Sequence, residues 1–462
     1  MSIRFSKAFL LLGLSLLISG PATADDKPKT IESLDEKTVE VRPGKVIIHS
    51  TELARDNYKA FLELSTDDPD QRAEAMRRLG DLELDATEAA QLAENLETLD
   101  LEGYNSAVEM YEQVLREHPE YARNDTIMYQ LARAYEVVGR TDEALATLNR
   151  LVNNYPNTPL IDEIQFRRGE MLFLRKQYND AEIAYADVVA YGPRSRFYEQ
   201  SLYKLGWSQF KLAWYEDSLD PFFELLDRKI SDIAWDDGEY RLEELSRADQ
   251  ELIEDTFRVL SIGFSYLDGA ESIDEYLSTR GRPEFSYVIY RNLGDLYLGK
   301  ERYVDAAQAY EASVEQDPNH SKSPLLQVEV IEAYKQGGFP TLVLEAKQDY
   351  VNRYGLESSY WAQNERGENT AVVDGHLKEN LNDLAQYSHA EAQKNGKLED
   401  YQQAAHYYRK YLDYFPNEEG SAGTNFLLAE ILYESKTFDQ AAQEYERTAY
   451  NYPVHEKSAE AG

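Results

Sequence analysis

From Thr51 onwards, apolar residues recur at the three- and four-residue intervals that are typical of amphipathic helices. Tyr287–Tyr297 has this spacing, and so has Tyr303–Val314 after the short turn Gly299–Arg302. Asp317-Pro318 ends the pair, because proline cannot continue a helix and disfavours helical geometry in the residue before it. The pattern therefore predicts an all-α chain that is built from pairs of helices.

The helix pairs repeat at an interval of 37 residues. Small residues mark one position of the repeat, at Ala107, Ala144, Ala181 and Ser218, and prolines mark another, at Pro119, Pro156 and Pro193. Near the C-terminus the same interval separates Tyr401 from Phe438, Ala404 from Ala441, Tyr408 from Tyr445 and Pro416 from Pro453. One pair of helices cannot bury its apolar face alone, so a repeat of this length predicts a stack of neighbouring pairs.

Steric requirements explain which residue types recur. Gly294 and Ala306 are expected where the two helices of one pair cross, because small residues allow two backbones to approach closely. Ala306 precedes Pro318 by 12 residues, as Ala107 precedes Pro119. The larger residues that are expected to fill the space around the crossing are Leu293, Tyr297, Tyr303 and Tyr310.

This spacing resembles the tetratricopeptide repeat (TPR), which implies a right-handed TPR-type helix-turn-helix solenoid. The matching residues are Leu293-Gly294, Tyr297, Tyr303, Ala306, Tyr310 and Pro318; Leu131-Ala132, Tyr135, Ala144 and Pro156; Gly169, Tyr178, Ala181, Tyr185 and Pro193; Leu205-Gly206, Tyr215, Ser218 and Phe222; and Leu428-Ala429, Phe438, Ala441, Tyr445 and Pro453. The period exceeds the usual 34 residues by three. The endings Asn154–Asn157 and Asn451–Pro453 look like those of exported bacterial TPR proteins such as the BamD and CpoB envelope families.

The N-terminus has the three regions of a secretory signal peptide in order. Arg4 and Lys7 are basic, Ala8–Ile18 is apolar, and Ala22-Thr23-Ala24 is a small-residue cleavage site. The apolar run is shorter than the roughly 20 residues that a membrane-spanning helix needs. We therefore expect cleavage after Ala24, export to the periplasm and no transmembrane segment in the mature chain. Association with the outer membrane is a further expectation.

The sequence predicts seven segments. They are the signal peptide (1–24), a flexible leader (25–50) with a strand-like piece at Val46–Ile48, an N-terminal helical array (51–230), a divergent segment (231–286), further repeats (287–355), an insertion (356–373) and C-terminal repeats (374–462). In the divergent segment, Ser231–Gly238 has the pattern of a loop and Ala248–Leu267 that of a long helix. The units around Ala107 and Val343 keep the repeat register only in part. The insertions are either a binding face or loops that a solenoid tolerates.

Composition excludes several functions. The formal net charge is -37, which disfavours binding to nucleic acid or to an anionic membrane. There is no Cys, so thiol catalysis and thiolate metal sites are impossible. The chain has 35 Tyr but 16 Phe, and Tyr suits a helix whose apolar side is buried while its hydroxyl stays in water.

The sequence contains no motif of a catalytic, metal or cofactor site. It lacks a phosphate-binding Gly loop, a G-x-S-x-G elbow and an H-E-x-x-H pair. Of the seven His residues, His118, His320 and His455 lie beside the prolines that end repeats, which favours a role in turns. Asp67–Asp70 lacks the ligand spacing of a calcium loop and is better explained as a polar turn that caps a helix. We predict a protein without catalytic residues, bound metal or cofactor.

The family resemblance implies that the first helix of each pair lines a concave groove. The positions that the resemblance assigns to this groove are Tyr129, Phe166 and Tyr203, one turn later Arg133, Glu170 and Trp207, and in the C-terminal block Phe426 and Glu430. Aromatic residues and Arg dominate binding hot spots, so this row suits a partner helix or an extended peptide. The alternative is that the rings pack between adjacent units and meet no ligand.

We therefore expect a non-catalytic envelope scaffold that binds proteins through a peptide or helix in the groove. A polysaccharide-binding or export-associated module is the alternative, since Tyr and Trp can stack on sugars. The chain also stops at Gly462, a few residues into what the register predicts to be a further first helix. This leads us to expect a fragment of a longer protein, in which case the chain is a docking arm for another domain. The sequence leaves the oligomeric state open.

Overall fold

The computed structural model describes residues 49–64, 68–94, 101–230, 235–236, 239–240, 245–367 and 370–462. The chain divides into two compact units, residues 1–67 and 68–462. In the first unit, the described element is helix α1, His49–Glu63. The predicted signal peptide and the strand-like piece at Val46–Ile48 lie outside the described residues.

The second unit is an all-helical repeat solenoid. Its N-terminal half contains α2 (Pro69–Glu94), α3 (Glu102–Glu117), α4 (Asn124–Val137), α5 (Thr141–Asn154), α6 (Ile161–Leu174), α7 (Tyr178–Tyr191), α8 (Tyr198–Lys211) and α9 (Tyr215–Ile230). Each of these helices packs against the next one along the chain. The even-numbered helices are the first members of their pairs and the odd-numbered helices are the second members.

The C-terminal half continues the array with some irregular elements. It contains α10 (Arg247–Tyr266), α11 (Ala270–Arg280), α12 (Ser286–Leu298), α13 (Tyr303–Gln316), α14 (Ser323–Gly337), α15 (Pro340–Tyr354), α16 (Tyr360–Gln363), α17 (Ala371–Asn395), α18 (Leu398–Tyr414), α19 (Ser421–Glu434), α20 (Phe438–Tyr450) and α21 (Ser458–Ala461). The main packing passes from α10 to α12 and from α15 to α17, so α11 and α16 are additions to the stack.

Glycine permits the close crossing of the two helices within several pairs. A Cβ atom added to Gly169 would lie 2.7 Å from the ring of Tyr185, and one added to Gly206 would lie 2.7 Å from the ring of Phe222. The same ring-on-glycine contact joins Gly294 to Tyr310. The repeated small residues of the second helices are all buried, namely Ala107, Ala144, Ala181, Ser218, Ala306, Ala404 and Ala441.

Many buried tyrosines donate a hydrogen bond to a carboxylate instead of reaching water. The Tyr185 hydroxyl donates to Glu170 at 2.6 Å, and the Tyr310 hydroxyl donates to Asp295 at 2.7 Å. In both cases the acid follows the glycine at the crossing. The expectation that the hydroxyls stay in water is therefore wrong for these residues, because a neighbouring acid satisfies them within the array.

Each repeat ends in two consecutive turns around its proline. After α3, the Tyr121 amide donates to the His118 carbonyl and the Asn124 amide to the Tyr121 carbonyl, both at 3.1 Å. The same bonds recur at Thr158 and at Ser195. The prolines at these ends, Pro119, Pro156, Pro193, Pro318, Pro416 and Pro453, are exposed and follow the last helical residue by two or three positions.

The divergent segment contains a small hairpin as well as helices. Trp235–Asp236 (β1) pairs antiparallel with Glu239–Tyr240 (β2). The prediction of a simple loop over Ser231–Gly238 is wrong at these positions, because cross-strand pairing depends on a partner strand that the loop pattern does not reveal. The long helix predicted at Ala248–Leu267 is α10, which begins one residue earlier and ends one residue earlier.

Candidate functional site

Ion pairs join the first helix of one helix pair to the first helix of the preceding helix pair. The three ion pairs are Arg133–Glu88 at 3.1 Å, Arg167–Glu136 at 3.4 Å and Lys204–Glu170 at 3.2 Å. They connect α2, α4, α6 and α8 in turn along the face on which the sequence places its predicted groove. Since each pair is partly exposed, its contribution to stability is about 0–1 kcal/mol. As a result, the charged side chains of Arg133 and Glu170 already have ion-pair partners within the array.

The first aromatic residues of the predicted row are used in packing between units. Tyr129 is 6% exposed, and its hydroxyl donates to Glu163 at 2.5 Å while accepting from Arg167 Nε at 3.0 Å. Burial raises the pKa of Tyr129 to about 12. Phe166 stacks on Phe197 with ring centroids 4.7 Å apart. These contacts favour the alternative that the two rings hold units together.

The C-terminal members of the predicted row are also engaged. Phe426 is buried and lies edge-on to Tyr445, with ring centroids 5.7 Å apart. Lys457 Nζ lies 5.3 Å from the centroid of the Phe426 ring. Glu430 accepts a hydrogen bond from the Tyr445 hydroxyl, as Glu170 does from Tyr185. At both places the acid serves the crossing of its own helix pair.

The last residues of the row, Tyr203 and Trp207, lead to a more open place. The Tyr203 hydroxyl donates to Asp255 of α10 at 2.6 Å, and burial raises the pKa of Tyr203 to about 12. Trp207 is only partly buried and lies edge-on to Phe210, with ring centroids 5.4 Å apart. The aromatic side chains therefore continue from α8 towards the turn that follows it.

We call Trp207, Phe210, Trp214, Tyr215 and Tyr266 the α8–α10 aromatic surface. The ring of Tyr266 stacks on Tyr215 at 4.7 Å with an interplanar angle of 12°, and Phe210 contacts both rings edge-on. Tyr266 is 61% exposed, and Trp214 in the α8–α9 turn is 43% exposed. Large aromatic side chains that remain exposed side by side are typical of a surface that binds another molecule.

The α8–α9 turn positions Trp214 through an unusual backbone conformation. Ala213 has a φ of 61°, and the Trp214 amide donates to the Gln209 carbonyl at 2.9 Å. Lys176 and Lys436 have the same left-handed conformation at the matching position of their pairs, with φ of 61° and 64°. A left-handed non-glycine residue costs about 1–2 kcal/mol, so the packing on both sides of the turn must stabilise it.

Two cations border the aromatic surface. Lys211 Nζ lies 5.0 Å and the Arg258 guanidinium 6.0 Å from the centroid of the Trp207 ring. Arg258 also forms an ion pair with Asp255, the acceptor of the Tyr203 hydroxyl. This combination of Trp, Tyr and Arg has the chemistry of a protein-binding hot spot.

Sequence reasoning did not assign Phe210, Trp214, Tyr215 or Tyr266 to a binding site, and it placed Tyr215 only in the repeat pattern. A usable signal was present, because aromatic residues five positions apart face each other across the turn within a pair. Phe210–Tyr215 has a ring separation of 5.3 Å, and Phe173–Tyr178 and Tyr433–Phe438 have separations of 5.3 Å and 5.4 Å. Tyr266 gave no such signal, since α10 lies outside the 37-residue register.

The residues singled out for metal chemistry serve turns and caps. Asp68 Oδ1 accepts from the amides of Asp70 at 3.0 Å and Gln71 at 3.3 Å, so it caps α2. His320 Nδ1 and His455 Nδ1 each accept from a backbone amide two residues later, at 3.2 Å. Within the described ranges, no cluster of three or more His, Asp or Glu side chains has a geometry that could hold a metal ion. Among the described helices, none is long and apolar enough to cross a membrane.

Comparison with curated proteins finds no match. Solved structures that the chain matches include a tetratricopeptide repeat protein from Parabacteroides merdae, with 16% identity, a TM-score of 0.28, and coverage of 65% of this chain and 98% of that chain. They also include yeast Tom70, with 13% identity, a TM-score of 0.23, and coverage of 85% and 95%. A third is pilF of Pseudomonas aeruginosa, with 12% identity, a TM-score of 0.25, and coverage of 68% and 97%.

Tetratricopeptide-repeat family models match three segments of the chain. One model matches residues 99–167, and a second matches residues 266–321 and 389–456. The segment 266–321 contains the crossing of Gly294 and Tyr310 described above. The sequence-based prediction of this repeat type is thereby confirmed, and the chain contains tetratricopeptide repeats.

Proposed function

We propose that this protein is a non-catalytic scaffold of the bacterial cell envelope that binds partner proteins through the α8–α10 aromatic surface. Tetratricopeptide-repeat proteins generally bind peptides or proteins and are generally not enzymes, which supports the class of function. The observation that carries the location of the site is the exposure of Tyr266, whose ring contacts Phe210, and of Trp214 in the adjoining turn.

The α8–α10 aromatic surface suits a binding site better than the rest of the predicted groove row, because its side chains have fewer partners within the array. On α4 and α6, Arg133 and Glu170 have ion-pair partners on neighbouring first helices, and Tyr129 is buried. On α8 and α10, aromatic faces remain open to solvent. A partner can bury these rings without first breaking a hydrogen bond or ion pair of the array, which makes association less costly there.

The envelope location rests on the N-terminal sequence. Arg4, Lys7, the apolar run Ala8–Ile18 and the Ala22–Ala24 site form the order of a secretory signal. Expression of the full chain in a Gram-negative host, followed by fractionation and intact-mass measurement, tests this point. We expect a periplasmic protein that begins at Asp25, whereas an unprocessed cytoplasmic protein would contradict the location. The narrower likeness to the BamD and CpoB families stays a prediction.

The binding test compares surface variants of matched aromatic content. Trp214→Ser/Tyr266→Ser removes two exposed rings, and Tyr433→Ser/Tyr450→Ser removes two exposed rings of the C-terminal repeats. Photo-crosslinking amino acids at 214 and 266, with 450 as control, then report direct neighbours in envelope preparations. We expect defined protein adducts from 214 and 266 that the Trp214→Ser/Tyr266→Ser protein no longer recovers in pull-downs.

Three outcomes count against the proposal. Equal recovery by the parent and by the Trp214→Ser/Tyr266→Ser protein would place the binding surface elsewhere. Equal loss in both double variants would indicate a general effect of lost aromatic surface. Binding to a glycan array that disappears in the Trp214→Ser/Tyr266→Ser protein, without any protein adduct, would favour the polysaccharide-binding alternative.

A further inference from the structure

The α14–α15 pair departs from the others at the residue that usually fills the helix crossing. In seven second helices, the residue four positions after the small residue is aromatic or Leu, namely Tyr111, Leu148, Tyr185, Phe222, Tyr310, Tyr408 and Tyr445. In α15 the register places Val343 at the small position and Lys347 four residues later. A charged amine thus occupies a position that is elsewhere part of the apolar core.

Lys347 is buried and is directed towards α17. Lys347 is 3% exposed, and its amine forms an ion pair with Asp383, whose side chain is 45% exposed. A lysine amine has three N–H donors, and Asp383 is its acceptor among the described residues. Burial of an amine whose donors are incompletely used is costly, so an additional acceptor at this amine is energetically favoured.

Lys347 and its ion-pair partner Asp383 both line a pocket between α15 and α17. The pocket has a volume of about 430 Å³ and is lined by Lys335, Gly338, Phe339, Pro340, Val343, Leu344, Lys347, Asp383 and Tyr387. Val343 and Leu344 of α15 supply apolar lining, while Phe339 in the α14–α15 turn and Tyr387 of α17 are partly exposed. This size and this mixture of apolar walls with a few polar groups are typical of small-molecule sites.

The hydrogen-bond donors of the pocket favour an anion. Its lining contains two lysines and one aspartate, in a chain whose formal net charge is -37. Asp383 is paired with Lys347, and the Lys335 amine donates to Glu332 at 2.6 Å. A cationic ligand would have to approach both amines, whereas a carboxylate would accept the hydrogen bonds that Lys347 can still donate.

We propose that the α15–α17 pocket binds a small molecule with an apolar body and one carboxylate. The carboxylate accepts from the Lys347 amine beside Asp383, and the apolar body lies on Val343 and Leu344 between the rings of Phe339 and Tyr387. This proposal is independent of the α8–α10 aromatic surface. It assigns a ligand to a region that the sequence distinguished only as a unit with weak repeat register.

Calorimetric titration with octanoate tests the proposal, with octylammonium as a probe of the same apolar body and opposite charge. Measurements are made on the whole mature chain in about 150 mM salt, where the Debye length is about 8 Å and the general negative field is screened. We expect saturable one-to-one binding of octanoate. Octylammonium should bind at least tenfold more weakly, which corresponds to about 1.4 kcal/mol.

Two variants and two controls locate the binding. Lys347→Met keeps an unbranched side chain without the amine, and Leu344→Trp fills the pocket while leaving the amine in place; both should reduce octanoate affinity at least tenfold. Lys394→Met removes an exposed amine of α17, and Trp214→Ser/Tyr266→Ser alters the proposed protein-binding surface; both should bind octanoate normally. Circular dichroism confirms the fold of each variant.

Several results would overturn the proposal. They are the absence of binding at millimolar octanoate, binding that does not saturate, equal binding of octylammonium, and unchanged affinity in Leu344→Trp. Unchanged octanoate affinity in Leu344→Trp would exclude this pocket as the binding site even if Lys347→Met does not fold. None of these results bears on the protein-binding proposal, which is tested with crosslinks at another surface.

Discussion

The contact of Gly169 with the Tyr185 ring offers a direct test of how the helix pairs are held together. Alanine in place of glycine inside a helix normally stabilises it by about 0.5–1 kcal/mol, because the unfolded chain loses conformational freedom. At Gly169 the new Cβ would lie 2.7 Å from a ring that is fully buried and whose hydroxyl donates to Glu170. Overpacking of this kind costs about 1–3 kcal/mol. We expect Gly169→Ala to lose about 0.5–2 kcal/mol of unfolding free energy on balance.

Gly375 provides a matched control within the same molecule. It lies in the interior of α17, it is exposed, and no atom beyond its own helix would lie within 4 Å of an added Cβ. Gly375→Ala should therefore gain about 0.5–1 kcal/mol, as an ordinary helical substitution does. The difference between the two variants isolates the steric contact from the change in backbone entropy.

A rescue variant follows from another pair of the array. In α4 and α5, Ala132 and Leu148 occupy the positions that correspond to Gly169 and Tyr185. Gly169→Ala should therefore be tolerated when it is combined with Tyr185→Leu, with a coupling free energy of about 1 kcal/mol or more. In α19 and α20, where Ala429 faces Tyr445, the ring is only partly buried, in agreement with the outward shift that a Cβ would enforce.

Urea denaturation followed by circular dichroism measures these changes. Because repeat arrays can unfold in parts, hydrogen exchange of α6 and α7 should report the local effect beside the global midpoint. The reasoning would be refuted if Gly169→Ala stabilised the protein as much as Gly375→Ala does. It would also be refuted if Tyr185→Leu gave no rescue.

Two further predictions concern the start of the array. The Arg77 guanidinium holds the pKa of Glu74 at about 2, below its ordinary 4.5, so the stabilisation from ionised Glu74 is present above about pH 4.5 and is lost as the pH falls towards 2. Glu74→Gln should lower the urea midpoint at pH 7, and the gap to the parent protein should shrink below pH 4.5; a gap that is independent of pH would contradict this. Asp68→Ala should cost about 1 kcal/mol through loss of the α2 cap, and Asp68→Asn should restore most of it. An equal urea midpoint for Asp68→Ala and the parent would show that the cap contributes nothing.

Sequence periodicity predicted the regular part of the fold closely. The segments expected at Tyr287–Tyr297 and Tyr303–Val314 are helices Ser286–Leu298 and Tyr303–Gln316. This precision has a physical cause, since each small residue, ring and proline has one steric role that recurs in the regular units. The hairpin at Trp235–Asp236 had no such recurrence and was missed.

The site was harder to predict than the fold because a repeat register identifies equivalent positions without showing what each position contacts. Arg133 and Trp207 are equivalent by spacing, yet Arg133 pairs with Glu88 of the preceding first helix while Trp207 contacts Phe210. Tyr266 completes the aromatic surface from α10, which lies outside the register. Which residue of a regular row is exposed to a ligand therefore depends on neighbouring residues that lie outside the repeat register.

Both proposed sites lie where the regular stack changes. In a repeat array, each unit satisfies its apolar face and its charges through its immediate neighbours, as the ion pairs along α2, α4, α6 and α8 show. The α8–α10 aromatic surface includes Tyr266 from the segment after α9, and the Lys347 pocket lies between α15 and α17, the helices that the insertion connects. At such breaks a side chain selected for packing in a regular unit loses its usual partner. Aromatic rings at the first break and a buried amine at the second are the groups that this loss leaves available to a ligand.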